Sequence, residues 1–598
     1  MCGIAGLLPL AEPAPEALIR ARLGSMLDIQ AHRGPDDRGT DIREGLGLGH
    51  LRLSILDLSN AGHQPMQSPD GRYTLVFNGE IYNYLELRSE LAPRKFISSS
   101  DTEVLLAAWE RWGSACLDRL DGMFAFAILD RVENILWIVR DRFGVKPLYY
   151  SRLQLDGRDY LAFSSEIKGL HAAGVYPEAE TRGWSSYLAN GHTDHTQRTF
   201  WKDVTRVMPG ELVRVDLGAG TFDVRKWYSL PDRVAQAEPD LRTDAEVQED
   251  LREQLFASVS LRLRSDVPVG IALSGGLDSS MLYEITRRIR GDAAAVHSFT
   301  YVTGDARYDE TDWVNALIGA DPQRHNECKL TPEEVPAMSE RMMWAEDEPF
   351  GGLPTLAISK CFAAARAQGV LVLMDGQGLD EQWAGYDYYG RAESLIAEKG
   401  GVIQGSARVG GEQGVLMPEF ATQAEFSADV SEGFDPMTGV QLRDLCTHKI
   451  PRVQRFGERA SMLHSIELRE PFLDHRLVEF SFRQPANRKI RDGVRKWMPR
   501  RVAKSLIPSA VYDAPKRPVQ TPQREWLRQE LFEYARDRIE YALENGAEGW
   551  FDRKALMAEI DQYRNAGADN SFHIWQWLSL GQFLQLAKER RSLHSAYD

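Results

Sequence analysis

Cysteine is scarce in this chain of 598 residues, which has five scattered thiols and no C-x-x-C pair. The lack of paired cysteines argues against a disulfide framework and against a thiolate zinc site, and it favours a reducing, cytoplasmic setting. No apolar run approaches the roughly 20 residues that a membrane-spanning helix needs. No cationic stretch followed by an apolar core marks a secretory signal. We therefore expect a soluble cytoplasmic protein without a membrane partner.

The chain also has fewer positive than negative side chains, with 71 Lys and Arg residues and 87 Asp and Glu residues. A protein that binds the phosphate backbone of nucleic acids presents a basic surface, so we expect no nucleic-acid partner, although local sites for small anions stay open. The hydrophobic content of 43% is typical of a globular protein. The chain is too long for a single hydrophobic core, so two or more domains are expected.

Two different patterns of predicted secondary structure divide the chain into two unlike domains. Residues 1–228 are rich in short β-type runs such as RYTLVFNGEIYN and MFAFAILD, separated by Gly, Asn and Asp turns, which predicts α+β layers. The polar, proline-bearing stretch 229–246 predicts a linker. In 247–598, strands such as VPVGIALS alternate with helical segments such as MLYEITRRIR, which indicates a parallel sheet. The irregular, glycine-rich stretch 395–434 predicts a surface excursion.

The segment VPVGIALSGGLDSSMLYEITRR predicts a strand, a tight turn and a helix. Gly275 and Gly276 let backbone N–H groups approach an anion at the positive end of the helix. Ser274 and Ser279 add hydroxyl donors, and the carboxylate of Asp278 can hold a Mg²⁺ bound to phosphates. Taken alone, this turn is equally an ordinary strand-to-helix connection, and it is not the G-x-x-x-x-G-K-[ST] phosphate loop.

Three further segments carry candidate site residues in the second half. VLVLMDGQGLDEQWAGY is a strand that ends in an acidic turn, where Asp380 is a candidate partner of Asp278 for the metal. HSIELREPFLDHRLVEF places Arg469 beside a Pro-Phe turn, which is also consistent with a plain charged turn before a helix. The basic cluster IRDGVRKWMPRR contains Lys496 and indicates either a solvated helix face or an anion site.

The chain begins MCGIAGLL, which raises the question of what Cys2 does. Removal of Met1 leaves Cys2 with a thiol and a free α-amine, a nucleophile that carries its own base. An isolated cysteine more often behaves as a small hydrophobe, so Cys2 alone decides nothing. The downstream FNGEIYN by itself predicts a hairpin with an N-G turn.

The ordered motifs decide the question. MCGIAG is followed by HRGPDD, GHLRLSILDLS, FNGEIYN, SSDTEV, LDGMFAFAILD, RDRFGVKPLYY and FSSEIKGL, and then by SGGLDSS, DGQGLDE and SIELREPFLD. This series resembles the glutamine-hydrolysing asparagine synthetase family over nearly the whole chain. The resemblance implies an N-terminal-nucleophile glutaminase domain, an α+β αββα sandwich, followed by an α/β parallel-sheet domain of the ATP-pyrophosphatase type.

The resemblance also assigns roles in the glutaminase domain. Cys2 would attack the glutamine amide while its α-amine moves the proton. Asn78 and the backbone N–H of Gly79 would form the oxyanion hole. The implied glutamine-binding residues are Arg52, Asn78, Glu80 and Asp101. Met1 must then be removed, and the ammonia would travel through an internal tunnel to the second site.

In the second domain the resemblance implies adenylation of a carboxylate by ATP, most readily that of aspartate, followed by displacement of AMP by ammonia. Lys496 would neutralise phosphate charge, and Mg²⁺ would lie on Asp278 and Asp380. The implied ATP and pyrophosphate contacts are Leu273, Ser274, Gly275, Gly276, Asp278, Ser279, Tyr301 and Gly376. The resemblance leaves the oligomeric state open, with a homodimer as one candidate.

The chain departs from the family pattern at residues that are expected to lie near the acceptor, which is the carboxylate that receives the nitrogen. Where the family has G-E-G-S-D-E this chain has GQGLDE, so Gln377 replaces a glutamate credited with a role in amide formation, and glutamine cannot act as a base. R-V-P-F-L-D has become REPFLD, which introduces Glu470. The acceptor-site candidates are Gln377, Glu381, Arg469 and Glu470. Two interpretations follow: an asparagine synthetase that tolerates glutamine, which we favour, or a relative that amidates a sugar acid or natural-product intermediate.

Overall fold

The computed structural model describes residues 2–291, 296–305, 307–319, 324–392, 414–514, 521–566 and 571–594. Met1, whose removal the family resemblance implies, lies outside the described residues, as does the part 395–413 of the predicted excursion.

Two antiparallel sheets form the N-terminal domain. The strands are β1 (Gly3–Pro9), β2 (Asp37–Arg43), β3 (Leu46–Arg52), β4 (Met66–Gln67), β5 (Tyr73–Ile81), β6 (Gly122–Asp130), β7 (Ile135–Arg140), β8 (Tyr149–Leu155), β9 (Arg158–Ser164), β10 (Thr205–Arg206), β11 (Glu211–Asp216) and β12 (Thr221–Lys226). The helices are α1 (Glu16–Asp28), α2 (Tyr84–Glu90), α3 (Asp101–Trp112), α4 (Ile167–Ala173) and α5 (Thr181–Asn190). One sheet has the order β10-β8-β9-β1-β3-β2 and the other the order β12-β11-β7-β6-β5-β4.

Strand β1 shows how the layers pack. All of its residues are buried, because its sheet is covered on both faces. Ile4 and Leu8 point into the core between the two sheets, whereas Ala5 and Leu7 point the other way, toward the helices α1 and α4. Helix α3 covers the outer face of the second sheet. The predicted αββα sandwich is therefore confirmed.

A parallel sheet forms the centre of the second domain. Its strands are β13 (Val269–Ala272), β14 (His297–Val302), β15 (His325–Lys329), β16 (Val372–Met374) and β17 (Glu467–Arg469), and a small hairpin pairs β18 (Ile490–Arg491) with β19 (Val494–Arg495). The order is β15-β14-β13-β16-β17, with each strand parallel to its neighbour. The order reverses between β13 and β16, and in open α/β sheets ligands bind outside the carboxyl ends of the strands at such a point.

Helices surround this sheet. In chain order they are α6 (Leu230–Ala235), α7 (Asp244–Arg262), α8 (Leu277–Arg290), α9 (Thr311–Ile318), α10 (Val335–Glu346), α11 (Leu353–Ala367), α12 (Leu379–Gln382), α13 (Pro418–Ala421), α14 (Pro436–Arg443), α15 (Ile450–Met462), α16 (His475–Phe482), α17 (Ala486–Lys489), α18 (Trp497–Ala503), α19 (Ser509–Tyr512), α20 (Gln523–Arg528), α21 (Phe532–Glu544), α22 (Arg553–Ala566) and α23 (Phe572–His594). In the described part of the chain, no helix has the length and apolar character needed to cross a membrane.

The end of the predicted surface excursion packs against the body of the protein. Phe420 is buried and its ring stacks on Trp550 at a centroid distance of 4.6 Å. The Ser185 hydroxyl of α5 donates to the Phe420 carbonyl at 2.6 Å. Residues 414–434 therefore connect the two domains, which glycine-rich composition alone did not indicate.

Buried ion pairs join the two domains. Arg33 of the first domain lies between Glu166 and Glu458, and its Nη1 donates to Glu166 Oε1 at 2.8 Å. Arg459 reaches the same Glu166 carboxylate at 2.9 Å. Further buried pairs across the interface join Lys168 to Asp347, Arg206 to Glu348 and Asp194 to Arg455.

Candidate active sites

Cys2 lies at the start of β1, where the two sheets of the sandwich meet. Its backbone nitrogen donates to Asn78 Oδ1 on β5 at 2.9 Å. The other amide atom of Asn78, Nδ2, is fully buried, and no described residue accepts a hydrogen bond from it. A buried donor beside a nucleophile, with no protein acceptor, suits a charge that develops on a substrate oxygen.

The surroundings of the Cys2 thiol favour its protonated form. Burial raises its pKa, and the backbone N–H of Leu53 and the charge of Arg52 offset this only in part. Because the thiolate is the reactive form, the thiol needs a local base, and the α-amine that removal of Met1 would expose on Cys2 stays the predicted one.

Gly79 follows Asn78 on β5 and leaves no room for a side chain. A Cβ at this position would overlap the Met123 carbonyl oxygen of the paired strand β6. The close approach of two backbones therefore requires glycine here and holds the Gly79 N–H beside Asn78.

The predicted glutamine-binding residues lie around Cys2. The Arg52 guanidinium donates to the carbonyl oxygens of Ser59 at 2.8 Å and Leu56 at 3.2 Å, which fixes its plane. Asp101 Oδ2 accepts the Ile81 N–H at 2.8 Å, and burial raises the pKa of this carboxyl to about 7.

Glu80, the other predicted ligand of the glutamine amine, lies at the domain interface. Its carboxylate is 3.6 Å from Arg469 Nη2 of the second domain. Burial raises the pKa of Glu80 well above its ordinary value, and the neighbouring carboxylates of Glu467 and Asp101 raise it further. A bound ammonium group would lower the pKa of both Glu80 and Asp101.

The SGGLDSS turn joins β13 to α8 and has a geometry that can accommodate an anion. The Ser274 and Ser279 hydroxyls are 3.0 Å apart, and the Gly276 N–H lies 3.4 Å from Ser274 Oγ. Gly276 is the N-cap residue of α8, and Gly275 has φ +76°, which favours glycine. The backbone N–H groups therefore gather at the positive end of a 14-residue helix.

Two predicted nucleotide contacts flank this turn. Leu273 donates its N–H to the Phe299 carbonyl at 2.9 Å and is buried. Tyr301 lies on β14, where its ring packs against the hydrophobic core that includes Phe299 and its hydroxyl is buried. A direct role for Tyr301 stays a prediction.

The second acidic turn meets the first at the switch point of the sheet. A Cβ on Gly376 would come within 3.1 Å of both the Asp278 Cβ and the Ser279 nitrogen, so glycine permits this close packing. Lys496 then bridges the turns, with Nζ 2.5 Å from Asp278 Oδ2 and 2.6 Å from Asp380 Oδ1. The structure thus brings Asp278, Asp380 and Lys496 together.

The electrostatics of this bridge favour a cation between the carboxylates. Burial lowers the pKa of Lys496, but the charges of Asp278 and Asp380 outweigh it and leave the pKa above its ordinary value. No cluster of three or more metal-ligating side chains occurs among the described residues. Two carboxylates completed by substrate phosphates nevertheless match the oxygen ligands of Mg²⁺.

The acceptor-site candidates separate into two groups. Gln377 and Glu381 lie on the second turn, and Glu381 Oε1 accepts the Tyr386 hydroxyl hydrogen at 2.8 Å. Arg469 is fully buried in the domain interface, where Glu467 holds its Nε at 2.6 Å. Glu470 follows Arg469 at the carboxyl end of β17 and is 6% exposed. Their roles toward an acceptor stay predictions.

Sequence analysis missed two residues at this junction. Asp375 follows β16 directly, and its place at the end of a strand inside a quoted motif was the signal that could have found it. Lys146 of RDRFGVKPLYY is fully buried, and its Nζ donates to the Leu468 carbonyl of the second domain at 3.4 Å. Nothing in the local sequence distinguishes Lys146 from a surface lysine.

Comparisons with known proteins agree with this architecture. The profile described as Glutamine amidotransferase domain matches residues 1–228, and the profile described as Asparagine synthase matches residues 250–588. The chain is 28% identical to the glutamine-hydrolysing asparagine synthetase 1 of Bacillus subtilis, covering 96% of this chain and 95% of that protein. Asparagine synthetase 2 of the same organism is 32% identical over 83% of this chain and 68% of its own length. Amidase chry2 of Gibberella zeae is 28% identical over 84% of this chain and 85% of its own length.

Both sites are thus built within one chain, each from residues of the matching profile, and the profiles together span most of its length. The chain therefore belongs to the glutamine-hydrolysing asparagine synthetase family, whose members use ATP, and it is an enzyme of that type.

Proposed function

We propose that the protein transfers the amide nitrogen of glutamine to aspartate, with ATP, and releases glutamate, AMP, pyrophosphate and asparagine. The observation that carries the proposal is the bridge of Lys496 between Asp278 and Asp380 beside an anion-binding turn. This site can grip a nucleotide triphosphate, and it shares the chain with the Cys2 and Asn78 site that can release ammonia.

In the first site, the α-amine of Cys2 takes the thiol proton and the sulfur attacks the amide carbon of glutamine. The carbon–nitrogen bond then breaks as this amine gives the proton to the departing ammonia, and water hydrolyses the thioester to glutamate and the free thiol. Asn78 Nδ2 and the Gly79 N–H stabilise the oxyanion. Arg52 pairs with the substrate carboxylate, and Glu80 and Asp101 hold its ammonium group. The step requires that Met1 be removed, because an acylated nitrogen cannot accept a proton.

In the second site, the backbone N–H groups of the SGGLDSS turn hold the departing pyrophosphate. Asp278 and Asp380 would hold Mg²⁺, which when bound neutralises phosphate charge. Lys496 adds a fixed positive charge as the acceptor carboxylate attacks the α-phosphate and the pyrophosphate leaves.

A different acceptor carboxylate is the second candidate. Two carboxyl-bearing residues, Asp375 and Glu470, stand together beside the turn that holds Gln377. Similarity to a protein named as an amidase, Amidase chry2, supports the same alternative. A sugar acid or a natural-product intermediate is the class of acceptor that this candidate implies.

One incubation separates the candidates. The purified protein is supplied with ATP, Mg²⁺, glutamine and aspartate, and AMP, pyrophosphate and asparagine are quantified. Asparagine formed in step with AMP supports the proposal. Glutamate release without aspartate-dependent AMP rules out aspartate, and a panel of carboxylates is then screened by acceptor-dependent ATP–pyrophosphate exchange.

Cys2→Ala tests the two-site scheme. We expect it to abolish glutamine-dependent synthesis and to leave synthesis from ammonium chloride at the wild-type rate, because the sites are separate. Cys116→Ala, a buried thiol of the same domain, is the control and should retain both activities. Loss of both activities in a folded Cys2→Ala protein would contradict the scheme.

A further inference from the structure

Amide formation needs a proton acceptor at the second site. The lone pair of ammonia attacks the acyl carbon of the adenylate, an N–H proton must leave the nitrogen, and the bond from the acyl carbon to the AMP oxygen breaks with its electron pair on that oxygen. A glutamine side chain accepts no proton at ordinary pH, so Gln377 cannot do this. The step therefore needs another base.

Two carboxyl groups stand side by side at the carboxyl edge of the sheet. β16 and β17 are parallel neighbours in the register Met374 to Arg469, so Asp375 and Glu470 are the next pair along. The Asp375 N–H donates to the Arg469 carbonyl at 3.1 Å, which continues the ladder to this point. Laterally adjacent residues of a sheet direct their side chains to the same face.

This pair lies between the two active sites. On one side, Gly376 packs directly against Asp278 and Ser279 of the pyrophosphate turn. On the other side, Lys146 of the glutaminase domain contacts the Leu468 carbonyl, two residues before Glu470. The pair therefore lies where the pyrophosphate turn and the interface with the glutaminase domain come together.

The surroundings of Asp375 and Glu470 raise the pKa values of both carboxyl groups toward neutral pH. Burial, together with the charge of Asp375, raises the pKa of Glu470 to about 8, and burial raises the pKa of Asp375 to about 7. Lys146 and Arg262 oppose the shift of Glu470, and Asp141 adds to it. Neither carboxylate forms an ion pair with any described residue. Repulsion between two adjacent carboxylates favours a state in which one group is protonated and the other is ionised and available as a base.

We propose that Asp375 and Glu470 act as a carboxyl pair that accepts the proton from the nitrogen nucleophile as the amide bond forms. The inference rests on the proposed acyl-adenylate reaction. The ionised carboxylate takes the proton from nitrogen, the carbon–nitrogen bond forms, and AMP leaves with the electron pair of the broken bond. Proton loss to water from the second carboxyl group resets the pair.

Asp375→Asn, Glu470→Gln and the double variant test the pair, with ammonium chloride as the nitrogen source. The acceptor is aspartate, or the carboxylate that the exchange screen identifies. We expect acceptor-dependent ATP–pyrophosphate exchange to persist while amide formation falls about 100-fold or more. Glu419→Gln, an exposed carboxylate in the same domain, should change neither rate. Unchanged amide formation, or loss of exchange in parallel with it, would overturn the proposal.

The dependence of stability on pH tests the carboxyl pair without any substrate. If no carboxylate supports ATP–pyrophosphate exchange, the proposed function fails, but this second test of the pair still applies. The folded-state pKa values lie above those of the unfolded chain, so ionisation of the pair lowers stability as pH rises from 5 to 9. The unfolding midpoint of the double variant, relative to wild type, should therefore increase over this range. A constant difference would overturn the proposal. If the double variant does not fold, either single variant serves for the same measurement.

Discussion

Gly385 shows how closely single residues define the nucleotide site. A Cβ at this position would overlap Oδ1 of Asp380 and Cε of Lys496. The Gly385 N–H also donates to the Asp380 carbonyl at 2.8 Å, which holds the turn in place. The chain thus has a glycine at the position where the geometry requires one.

Gly385→Ala should displace the Asp380 and Lys496 side chains. Because misplacement by about 1 Å can cost about 100-fold in rate, we expect a loss of this order in ammonia-dependent synthesis, with glutamine hydrolysis unchanged. Gly390→Ala is the matched control, since its added Cβ meets no atom within 4 Å. Equal rates in the two variants would contradict the geometry.

At the scale of elements, helix α15 is charged yet buried. Arg455, Glu458 and Arg459 all lie on it and are no more than 4% exposed. Their partners belong largely to the glutaminase domain, so this helix carries the interdomain ion pairs. Arg33 also donates to the Cys2 carbonyl at 3.0 Å, which connects the helix to the nucleophile.

Glu458→Ala should leave part of the Arg33 charge uncompensated in a buried site. Removal of one partner of a buried ion pair costs about 3–5 kcal/mol, so we expect a lower unfolding midpoint and slower glutamine hydrolysis. Glu533→Ala breaks an exposed pair with Arg564 and should leave the midpoint unchanged, because exposed pairs contribute little. Thermal unfolding followed by circular dichroism measures both.

At the scale of the whole molecule, the two domains are held by carboxylates that must stay ionised. Burial raises the pKa values of Glu166, Glu458 and Asp347. The facing Lys and Arg side chains, preceded at Glu166 by the larger effect of His32, outweigh burial and leave all three pKa values below their ordinary values. A lowered folded-state pKa contributes stability above the unfolded pKa and loses it as pH falls. The interface should therefore weaken in acid.

Scanning calorimetry as a function of pH tests this coupling. We expect one transition for both domains at pH 7, because the buried pairs are then complete. Below the ordinary carboxyl values of 4.5 for Glu and 3.8 for Asp, the midpoint should fall and the transition should split as the domains unfold separately. Two well-separated transitions already at pH 7 would contradict this view of the interface.

Much of this protein follows from local sequence. The β-type runs of the first half and the strand–turn–helix pattern around SGGLDSS depend on near neighbours, and both predicted architectures are confirmed. Cys2 contacts Asn78, and Lys496 contacts both Asp278 and Asp380. Each of these residues lies in a recognisable motif, and the roles assigned to them stay predictions.

The features that local sequence did not predict depend on contacts between residues that are distant in sequence. Asp375 and Glu470 are far apart in sequence and meet only because β16 and β17 become parallel neighbours. Arg469, a candidate for the acceptor site, is drawn into the domain interface by Glu467 and Glu80. Composition and motif order determined the family and the two architectures, since turns and strands form from local preferences. Tertiary structure decided three further features: the adjacency of Asp375 and Glu470, the burial of Lys146 and the ion pairs between the domains. These features depend on the packing of the entire chain, because they join residues that are distant in sequence.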